Sequence, residues 1–217
     1  EGVIGILTVS DLLRFRGREV LCLIRNIEEA ENPVQLGSMR KEVGKVLRIL
    51  VSDGAPASEI CRIVSELNDK IVTKVIRFAE EECGKPPCDY AWLGLGSEGR
   101  REQTLFTDQD NAIVFSSHPS KGCRDYFRRL SSLVVNGLQG CGIPLCKGNV
   151  MATNPKFFGS LQDWKDRTTR WIVNPTPDEK DLMDSYVFLD FRTIYGDRSL
   201  ESELRGHLMK HTQRHQS

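Results

Sequence analysis

An amphipathic helix pattern that ends at a Gly-Pro-Pro turn is the feature that most limits how this chain can fold. Apolar residues recur at intervals of three and four over residues 60–79, which places them on one face of a helix. Gly84, Pro86 and Pro87 cannot continue that helix. Residues 90–95 then form a short apolar run that is typical of a buried strand. We therefore expect helices before Gly84 and a sheet after it.

The remaining patterns predict an α+β fold. A first helix is expected over residues 36–50, and Ser58 is a candidate N-cap for the second. Further strands are expected at residues 112–115 and 148–152, with an amphipathic helix over residues 123–138 between them. A small mixed sheet with packed helices would thus lie between an N-terminal helical pair and a C-terminal helical segment.

These patterns divide the chain into four regions. We expect a short N-terminal remnant, a helical segment, a sheet-containing core and a C-terminal helical segment that binds substrate, over residues 1–18, 19–84, 85–155 and 156–217. Helix start signals occur in the last region at Ser160 with Asp163, at Thr176 with Pro177, and near Ser199. Three tryptophans at helix or strand spacing are expected in the core: Trp92, Trp164 and Trp171.

Composition excludes several classes of protein. The chain has 217 residues, and its 30 Lys and Arg balance its 30 Asp and Glu, so no net charge draws it toward nucleic acid. It has no apolar run of about 18 residues, the length that a membrane-spanning helix needs. Its seven cysteines are an odd number spread over the chain, which favours reduced thiols and a cytoplasmic location.

Two metal sites come into question from spacing alone. Two pairs of cysteines are each separated by four residues: Cys83 and Cys88, and Cys141 and Cys146. A four-thiolate zinc site fits that spacing, but so do free thiols buried beside turns, which we favour. Three histidines recur every four residues near the end of the chain: His207, His211 and His215. They lack a carboxylate and lie at a terminus that tends to fray, which argues against a site there.

The segment after the first predicted strand has the strongest functional pattern. Gly94, Gly96 and Gly99 spell G-x-G-x-x-G, but no acidic residue follows about 20 positions later, as a dinucleotide site requires. Ser97 is not placed as a hydrolase nucleophile, because Leu95 rather than a glycine stands two residues before it.

The same segment suits the binding of a metal-bound phosphate. A glycine and a hydroxyl just after a strand let the backbone approach a phosphate closely. Two aspartates at positions i and i+2 point to the same side of an extended segment, and Mg²⁺ prefers such carboxylates together with phosphate oxygens. Of two adjacent arginines, the one that faces the turn would stabilise a departing pyrophosphate. The candidate residues are Gly96, Ser97, Arg100, Arg101, Asp108 and Asp110.

This arrangement resembles the signature of the DNA-polymerase-beta-type nucleotidyltransferase superfamily. The longer strings Gly-Ser-Glu-Gly-Arg-Arg-Glu-Gln-Thr and Thr-Asp-Gln-Asp-Asn-Ala resemble most closely the branch related to the N-terminal domain of PII-protein uridylyltransferase. The resemblance extends from about Glu19 to the end of the chain and includes Asp190-Phe191-Arg192 and Gly196-Asp197.

The resemblance implies transfer of a nucleoside monophosphate from a nucleoside triphosphate to a hydroxyl, with Mg²⁺ or Mn²⁺ as cofactor. The acceptor hydroxyl could belong to a regulatory protein. Asp108 and Asp110 would be the catalytic and metal-binding residues. The residues implied in nucleotide binding are Gly96, Ser97, Gly99, Arg100 and Arg101.

Residues 3–13 resemble the last strand and helix of a CBS domain, a sensor of adenosyl ligands. Thr8 and Asp11 would face the ribose in that family. Members of the nucleotidyltransferase branch usually follow CBS domains. The resemblance therefore implies that the chain is a piece of a longer protein with CBS domains upstream.

One departure from the superfamily pattern bears on catalysis. Active members carry a third carboxylate on a later strand, where it assists the metal and deprotonates the acceptor. Residues 148–152 contain none, and Asn149 can ligate a metal but cannot act as a base. Asp190 is a distant candidate, although a buried ion pair with Arg192 suits it at least as well. The alternative function is therefore a regulatory module that binds Mg-nucleotide, reports the state of the CBS sensor and catalyses little.

Overall fold

The N-terminal helical pair is present. The structure is a computed structural model that describes residues 20–116, 122–173 and 179–214. Helix α1 covers residues 20–29 of the described part, and the predicted pair follows as α2 (Pro33–Ser52) and α3 (Ala57–Cys83). Asn32 caps α2 by accepting a 3.0 Å hydrogen bond from the backbone N–H of Gln35.

Two N-terminal predictions have different outcomes. Ser58 as the N-cap of α3 is wrong, because Pro56 holds that position and Ser58 already lies within the helix. The strand and helix predicted within residues 3–13, which carry the CBS resemblance, lie outside the described residues.

The sheet has four strands in the described part of the chain. They are β1 (Tyr90–Gly94), β2 (Asn111–Phe115), β3 (Phe158–Ser160) and β4 (Arg192–Gly196). The order across the sheet is β3-β2-β1-β4. Strand β1 is antiparallel to both neighbours, whereas β2 and β3 are parallel. The predicted α+β class with a small mixed sheet is therefore confirmed.

The third strand lies elsewhere than predicted. Residues 148–152 form turns and loop, because Asn149 has a left-handed φ of 59° that interrupts an extended chain. Strand β3 is instead found at Phe158–Ser160, and β4 was not predicted. The C-terminal region is thus not wholly helical, since two of its short segments extend the sheet.

The other helices pack around this sheet. They are α4 (Gly96–Gly99), α5 (Cys123–Gly140), α6 (Leu161–Val173), α7 (Glu179–Leu189) and α8 (Arg198–Arg214). The start signal before α6 is confirmed. Ser160 Oγ accepts a hydrogen bond from the backbone N–H of Asp163 at 3.2 Å, and Asp163 Oδ2 accepts one from that of Ser160 at 2.7 Å. The signal at Thr176 and Pro177 lies outside the described residues.

The core has two parts, one on each face of the sheet. Trp92 of β1 packs with α2, α3 and α5 on one face, whereas Leu93 packs with α6 and α8 on the other. Both faces of β1 are covered, which is why the strand is apolar throughout. Trp164 is fully buried in the second part, where its Nε1 donates to the Ile113 carbonyl at 3.0 Å. Trp171 is half-buried and packs against the same part, so the tryptophans belong to the core as predicted.

None of the helices in the three described ranges is long and apolar enough to cross a membrane.

The aromatic contact between β2 and α5 gives a test of this core. Phe127→Ala should lower the free energy of unfolding by about 3–5 kcal/mol. Phe127 is fully buried, and its ring stacks on that of Phe115 with 4.9 Å between centroids. As a matched control, Phe106→Ala should change it by about 0.5 kcal/mol or less, because Phe106 is 98% exposed. Urea denaturation measures both, and equal effects in the two variants would contradict the packing of α5 on the sheet.

Candidate active site

The Gly-Ser turn lies at the end of β1 and beside the second aspartate. Leu95 donates its backbone N–H to the Asp110 carbonyl at 2.8 Å, and the chain then turns into the single-turn helix α4. Gly96 has a φ of 51°, in the left-handed region. A Cβ added there would lie 3.9 Å from Asp110 Oδ2 and 3.5 Å from Val187 Cγ1. The turn backbone and the Asp110 carboxylate therefore face the same space.

Gly99 has a packing role in the same turn. A Cβ added to it would lie 1.5 Å from the Asp190 carbonyl oxygen, so no other residue fits without moving the backbone. The close approach of Gly99 to Asp190 explains this glycine without a ligand. Its predicted part in nucleotide binding stays a prediction.

Asp108 and Asp110 lie on one side of an extended segment, as predicted. Gln109 between them is buried and points the other way, because its Nε2 donates to the carbonyls of Val135 at 3.1 Å and Ile143 at 3.0 Å. Both aspartates line a cavity of about 500 Å³. Its other lining residues are Cys146, Gly148, Val150, Met183, Asp184 and Val187.

Burial makes the charge on Asp110 costly. Loss of water around Asp110 raises the pKa of its carboxyl group, and the negative charge of Asp108 raises it further, against a hydrogen bond from Cys146. Burial also raises the pKa of Cys146 to about 11, so this residue is a thiol that can donate to Asp110. A cation between the two carboxylates would relieve their repulsion.

Asn111 fixes the loop that forms the floor of this cavity. Its backbone N–H donates to the Val150 carbonyl at 3.0 Å, and its Oδ1 accepts from the N–H of Ala152 at 2.9 Å. These bonds hold the predicted third strand in place as a loop beside Asp110. Asn149 is exposed on that loop and is not among the residues that line the cavity.

The two arginines after the turn differ in their surroundings. Arg100 is paired with two carboxylates, through Nε to Glu102 at 2.8 Å and through Nη1 to Asp190. Arg101 has a φ of 59°, and its guanidinium makes no hydrogen bond or ion pair with any described residue. Arg101 is thus the arginine that is free to meet a ligand.

The interpretation of Asp190 and Arg192 as partners of each other is wrong. Asp190 pairs with Arg100, and Arg192 forms a two-pronged ion pair with Asp69 of α3 at 2.9 and 3.0 Å. Arg192 also donates to the backbone carbonyls of Glu98 at 2.9 Å and Gly99 at 3.2 Å. It therefore ties the turn to α3, a contact over 123 positions of sequence that no local pattern could reveal.

Two further acidic residues near the cavity were not predicted as site residues. Asp184 of α7 is 5% exposed and lines the cavity, where Lys156 Nζ lies 3.0 Å from its Oδ2. Glu98 is also 5% exposed. Burial raises the pKa of Glu98 well above its usual range, with Asp69 and Asp110 adding to the effect and Arg192 opposing it. Glu98 lies within the motif itself, but only the fold shows that it is buried.

The aspartate pair is the candidate metal site, but it does not belong to a larger group of ligating side chains among the described residues. In the described part of the chain, no three His, Cys, Asp or Glu side chains are grouped so that they could hold a metal ion. The four-cysteine zinc site does not form. Cys88 lies beside Cys123 with 2.7 Å between their sulfurs, whereas Cys141 bonds the Pro33 carbonyl.

The histidines of α8 have ordinary structural contacts. A ring nitrogen of His207 lies 2.8 Å from Thr169 Oγ1, and its ring lies 4.4 Å from that of His211. His215 lies outside the described residues.

Comparison with known families agrees with the class of site that this geometry defines. A mixed sheet whose first strand ends in a Gly-Ser turn beside two aspartates fits a nucleotidyltransferase. The family described as "Putative nucleotidyltransferase DUF294" matches residues 41–178. Because the match covers more than half of the chain, the chain belongs to this family, and the predicted membership of a nucleotidyltransferase family is confirmed. No curated protein matches the chain. The family match ends before Asp184, Asp190 and Arg192.

Glu98 allows a test of the electrostatics of the turn. A raised carboxyl pKa means that the folded state holds the proton more tightly than the unfolded state. The free energy of unfolding therefore falls as pH rises above the unfolded value, near 4.5. Glu98→Gln removes this dependence. We expect the variant to be more stable than the parent protein at about pH 8, and the difference to vanish at acidic pH, where both states are protonated.

Urea denaturation in the presence of a metal chelator, repeated across pH, measures this effect. Glu102→Gln is the control, because Glu102 is on the same loop but its side chain is 57% exposed, so its removal should change stability by about 1 kcal/mol or less. A Glu98→Gln variant that is less stable than the parent at every pH would contradict the burial of an unpaired carboxyl group there.

Proposed function

We propose that this protein is a Mg²⁺-dependent nucleotidyltransferase that moves a nucleoside monophosphate from a nucleoside triphosphate to a hydroxyl group. One observation carries the proposal: in a member of a nucleotidyltransferase family, Asp108 and Asp110 line one cavity beside the Gly96-Ser97 turn. Mn²⁺ should replace Mg²⁺, because the ligands are carboxylate oxygens.

Asp108 and Asp110 would hold the metal ion, which when bound neutralises phosphate charge. The backbone N–H groups of Gly96 and Ser97 donate to no described group, so they are available to phosphate oxygens. In the reaction, the acceptor oxygen bonds to the α-phosphorus, the bond from that phosphorus to the bridging oxygen breaks, and pyrophosphate leaves. The acceptor proton passes to a base.

Of the two arginines, Arg101 is better suited to stabilise the departing pyrophosphate. Its guanidinium has no partner among described residues, whereas Arg100 would have to give up its pairing with Glu102 and Asp190. Arg100 then serves to hold the start of β4 against the turn, together with the close contact at Gly99.

Asp184 is the candidate for the base that residues 148–152 lack. It lines the cavity at 5% exposure, and Lys156 Nζ lies 3.0 Å from its Oδ2. Asp184 does not join the aspartate pair in a three-carboxylate metal group. We therefore propose that Asp184 acts on the acceptor hydroxyl rather than as a metal ligand.

The acceptor itself could be the hydroxyl of a protein. The α7 side of the cavity has an exposed apolar residue, since Met183 lines the cavity and is 62% exposed, and Tyr186 on the same helix is 60% exposed. Such a rim suits a polypeptide better than a small polar molecule. Coupling to CBS domains upstream would make the transfer responsive to a nucleotide sensor.

A regulatory module that binds Mg-nucleotide and transfers little is the second candidate. It is favoured by the absence, among the described residues, of any group of three or more His, Cys, Asp or Glu side chains that could hold a metal ion. The two functions predict the same binding but different chemistry, so separate measurements distinguish them.

The aspartate pair can be tested by binding. Asp108→Asn and Asp110→Asn should each abolish Mg²⁺-dependent nucleotide binding, because each removes a metal ligand. Their free energies of unfolding should stay within about 1 kcal/mol of the parent value. Calorimetric titration with each nucleoside triphosphate measures binding, and Asp125→Asn is the control, since the Asp125 side chain is 85% exposed on α5. Undiminished Mg-nucleotide affinity in both site variants would remove the assignment.

Transfer can be tested by covalent labelling. The full-length protein, incubated with each labelled triphosphate and Mg²⁺ or Mn²⁺ in a lysate of its source, should label an acceptor and release pyrophosphate. Asp184→Asn should slow this transfer by about a hundredfold or more, as loss of a general base does, while nucleotide affinity stays the same. No label with any nucleotide, together with Mg-dependent binding, would leave the regulatory function. An Asp184→Asn variant with full activity would exclude Asp184 as the base.

A further inference from the structure

A second cavity is lined in part by residues 152–155, which directly follow the loop residues that line the aspartate cavity. It has a volume of about 360 Å³ and is formed by α5, α6, β3 and residues 152–155. It shares no lining residue with the aspartate cavity. Three of its lining residues are arginines: Arg124, Arg128 and Arg167.

The positive charge of this cavity is only partly balanced. Asp163 is the single acidic residue in the lining. Its Oδ2 already accepts hydrogen bonds from Ser160 N–H and Oγ, both at 2.7 Å, and from Arg124 at 2.6 Å. Among described residues, the only acidic partner of Arg128 is Asp125, at 3.8 Å, and the Asp125 side chain is 85% exposed. The cavity therefore has a net positive charge that its own side chains do not neutralise.

Arg167 has a buried donor atom that no other described group satisfies. Its Nη2 donates to the carbonyls of Pro155 at 3.2 Å and Phe158 at 3.4 Å, and its guanidinium lies 4.4 Å from the centre of the Trp164 ring. These contacts fix its orientation. Its Nη1, however, is fully buried and has no hydrogen-bond partner. A buried, unpartnered guanidinium N–H costs free energy unless a ligand satisfies it.

The burial of Arg167 also has an electrostatic cost. Loss of water lowers the pKa of Arg167, and the nearby charges of Arg170 and Arg124 lower it further, against the effect of Asp163. An anion in the cavity would reduce this cost, because a nearby negative charge favours the charged form of an arginine, and three arginines line this cavity.

We propose that this cavity, walled by Arg124, Arg128 and Arg167, is a binding site for a small phosphate-bearing molecule, separate from the aspartate cavity. Guanidinium groups match phosphate oxygens in two-pronged hydrogen bonds. Thr153 and Ser132 add hydroxyl donors to the lining. The volume is near the lower end of ligand cavities, which hold about 300–1,000 Å³, so it suits a compact phosphorylated molecule rather than a polymer.

The position of the cavity gives such a ligand access to the catalytic loop. Thr153 and Pro155 line the arginine cavity, whereas Val150, a few residues earlier on the same loop, lines the aspartate cavity. Lys156, the partner of Asp184, follows directly. The proposal does not depend on transferase activity, because it concerns binding by the arginines alone.

Binding of inorganic phosphate and pyrophosphate to the full chain tests the proposal. Calorimetric titrations are done with a chelator present, so that no metal loads the aspartate pair, and acetate serves as the control anion. We expect saturable binding of both phosphate probes, tighter for pyrophosphate, and none of acetate. Arg128→Gln should weaken binding about tenfold or more, as loss of a charged hydrogen bond does.

Arg129→Gln is the matched control. It removes the same charge from the next position of α5, but Arg129 pairs with Glu82 at 3.2 Å and does not line the cavity. Its affinity for both probes should stay within about twofold of the parent value. Asp108→Asn should also leave the affinity unchanged. The proposal fails if neither probe binds saturably, if Arg128→Gln and Arg129→Gln weaken binding equally, or if Asp108→Asn abolishes it.

Discussion

The ion pair between Arg192 and Asp69 is the contact on which the placement of the candidate active site depends. It joins α3 to β4, and the same guanidinium holds the carbonyls of Glu98 and Gly99. Both side chains are largely buried, at 17% and 20% exposure, where a two-pronged pair with further hydrogen bonds is strongest. Neighbouring polar residues of α3 act likewise, since Ser65 Oγ accepts from Gln103 N–H at 3.2 Å. The inward polar side chains of α3 thus anchor the loop between the turn and the aspartates.

The segment that carries the aspartate pair is also fixed by buried polar side chains. These side chains make hydrogen bonds to backbone groups of neighbouring segments. Gln109 and Asn111 alternate with the two aspartates and point into the protein, where they bond the backbone of α5 and of the cavity loop. Asp108 and Asp110 are left facing the cavity. Because the anchors are buried and hydrogen-bonded, they fix the backbone from which the two aspartates reach the cavity, which is what positioning of a phosphate requires.

Much of the fold and part of the candidate site could be predicted from the sequence, because these features depend on residues close together in the chain. The helix of residues 60–79, the strand after Pro87 and the i, i+2 spacing of Asp108 and Asp110 follow from periodicity alone. The third strand was wrongly placed because residues 150–152 are apolar, as a buried strand would be. The left-handed backbone of Asn149 is what interrupts an extended conformation there. Strand β4 and the position of Asp184 in the cavity were not predicted, because both depend on contacts between residues that are distant in sequence. The bounds of the four predicted regions stay predictions.

The loop of residues 150–156 separates two cavities of opposite charge. The first cavity is lined by three acidic residues: Asp108, Asp110 and Asp184. Among the described residues, Lys156 is the only basic residue that forms a salt bridge with one of them. The second cavity is lined by three arginines and one aspartate. Like charges on either side raise the free energy of the protein by itself, and each cavity would be stabilised by a ligand of the opposite sign. A cation in the first cavity and a phosphate in the second would therefore each lower the free energy of the folded protein, because each ligand binds the folded chain and not the unfolded one.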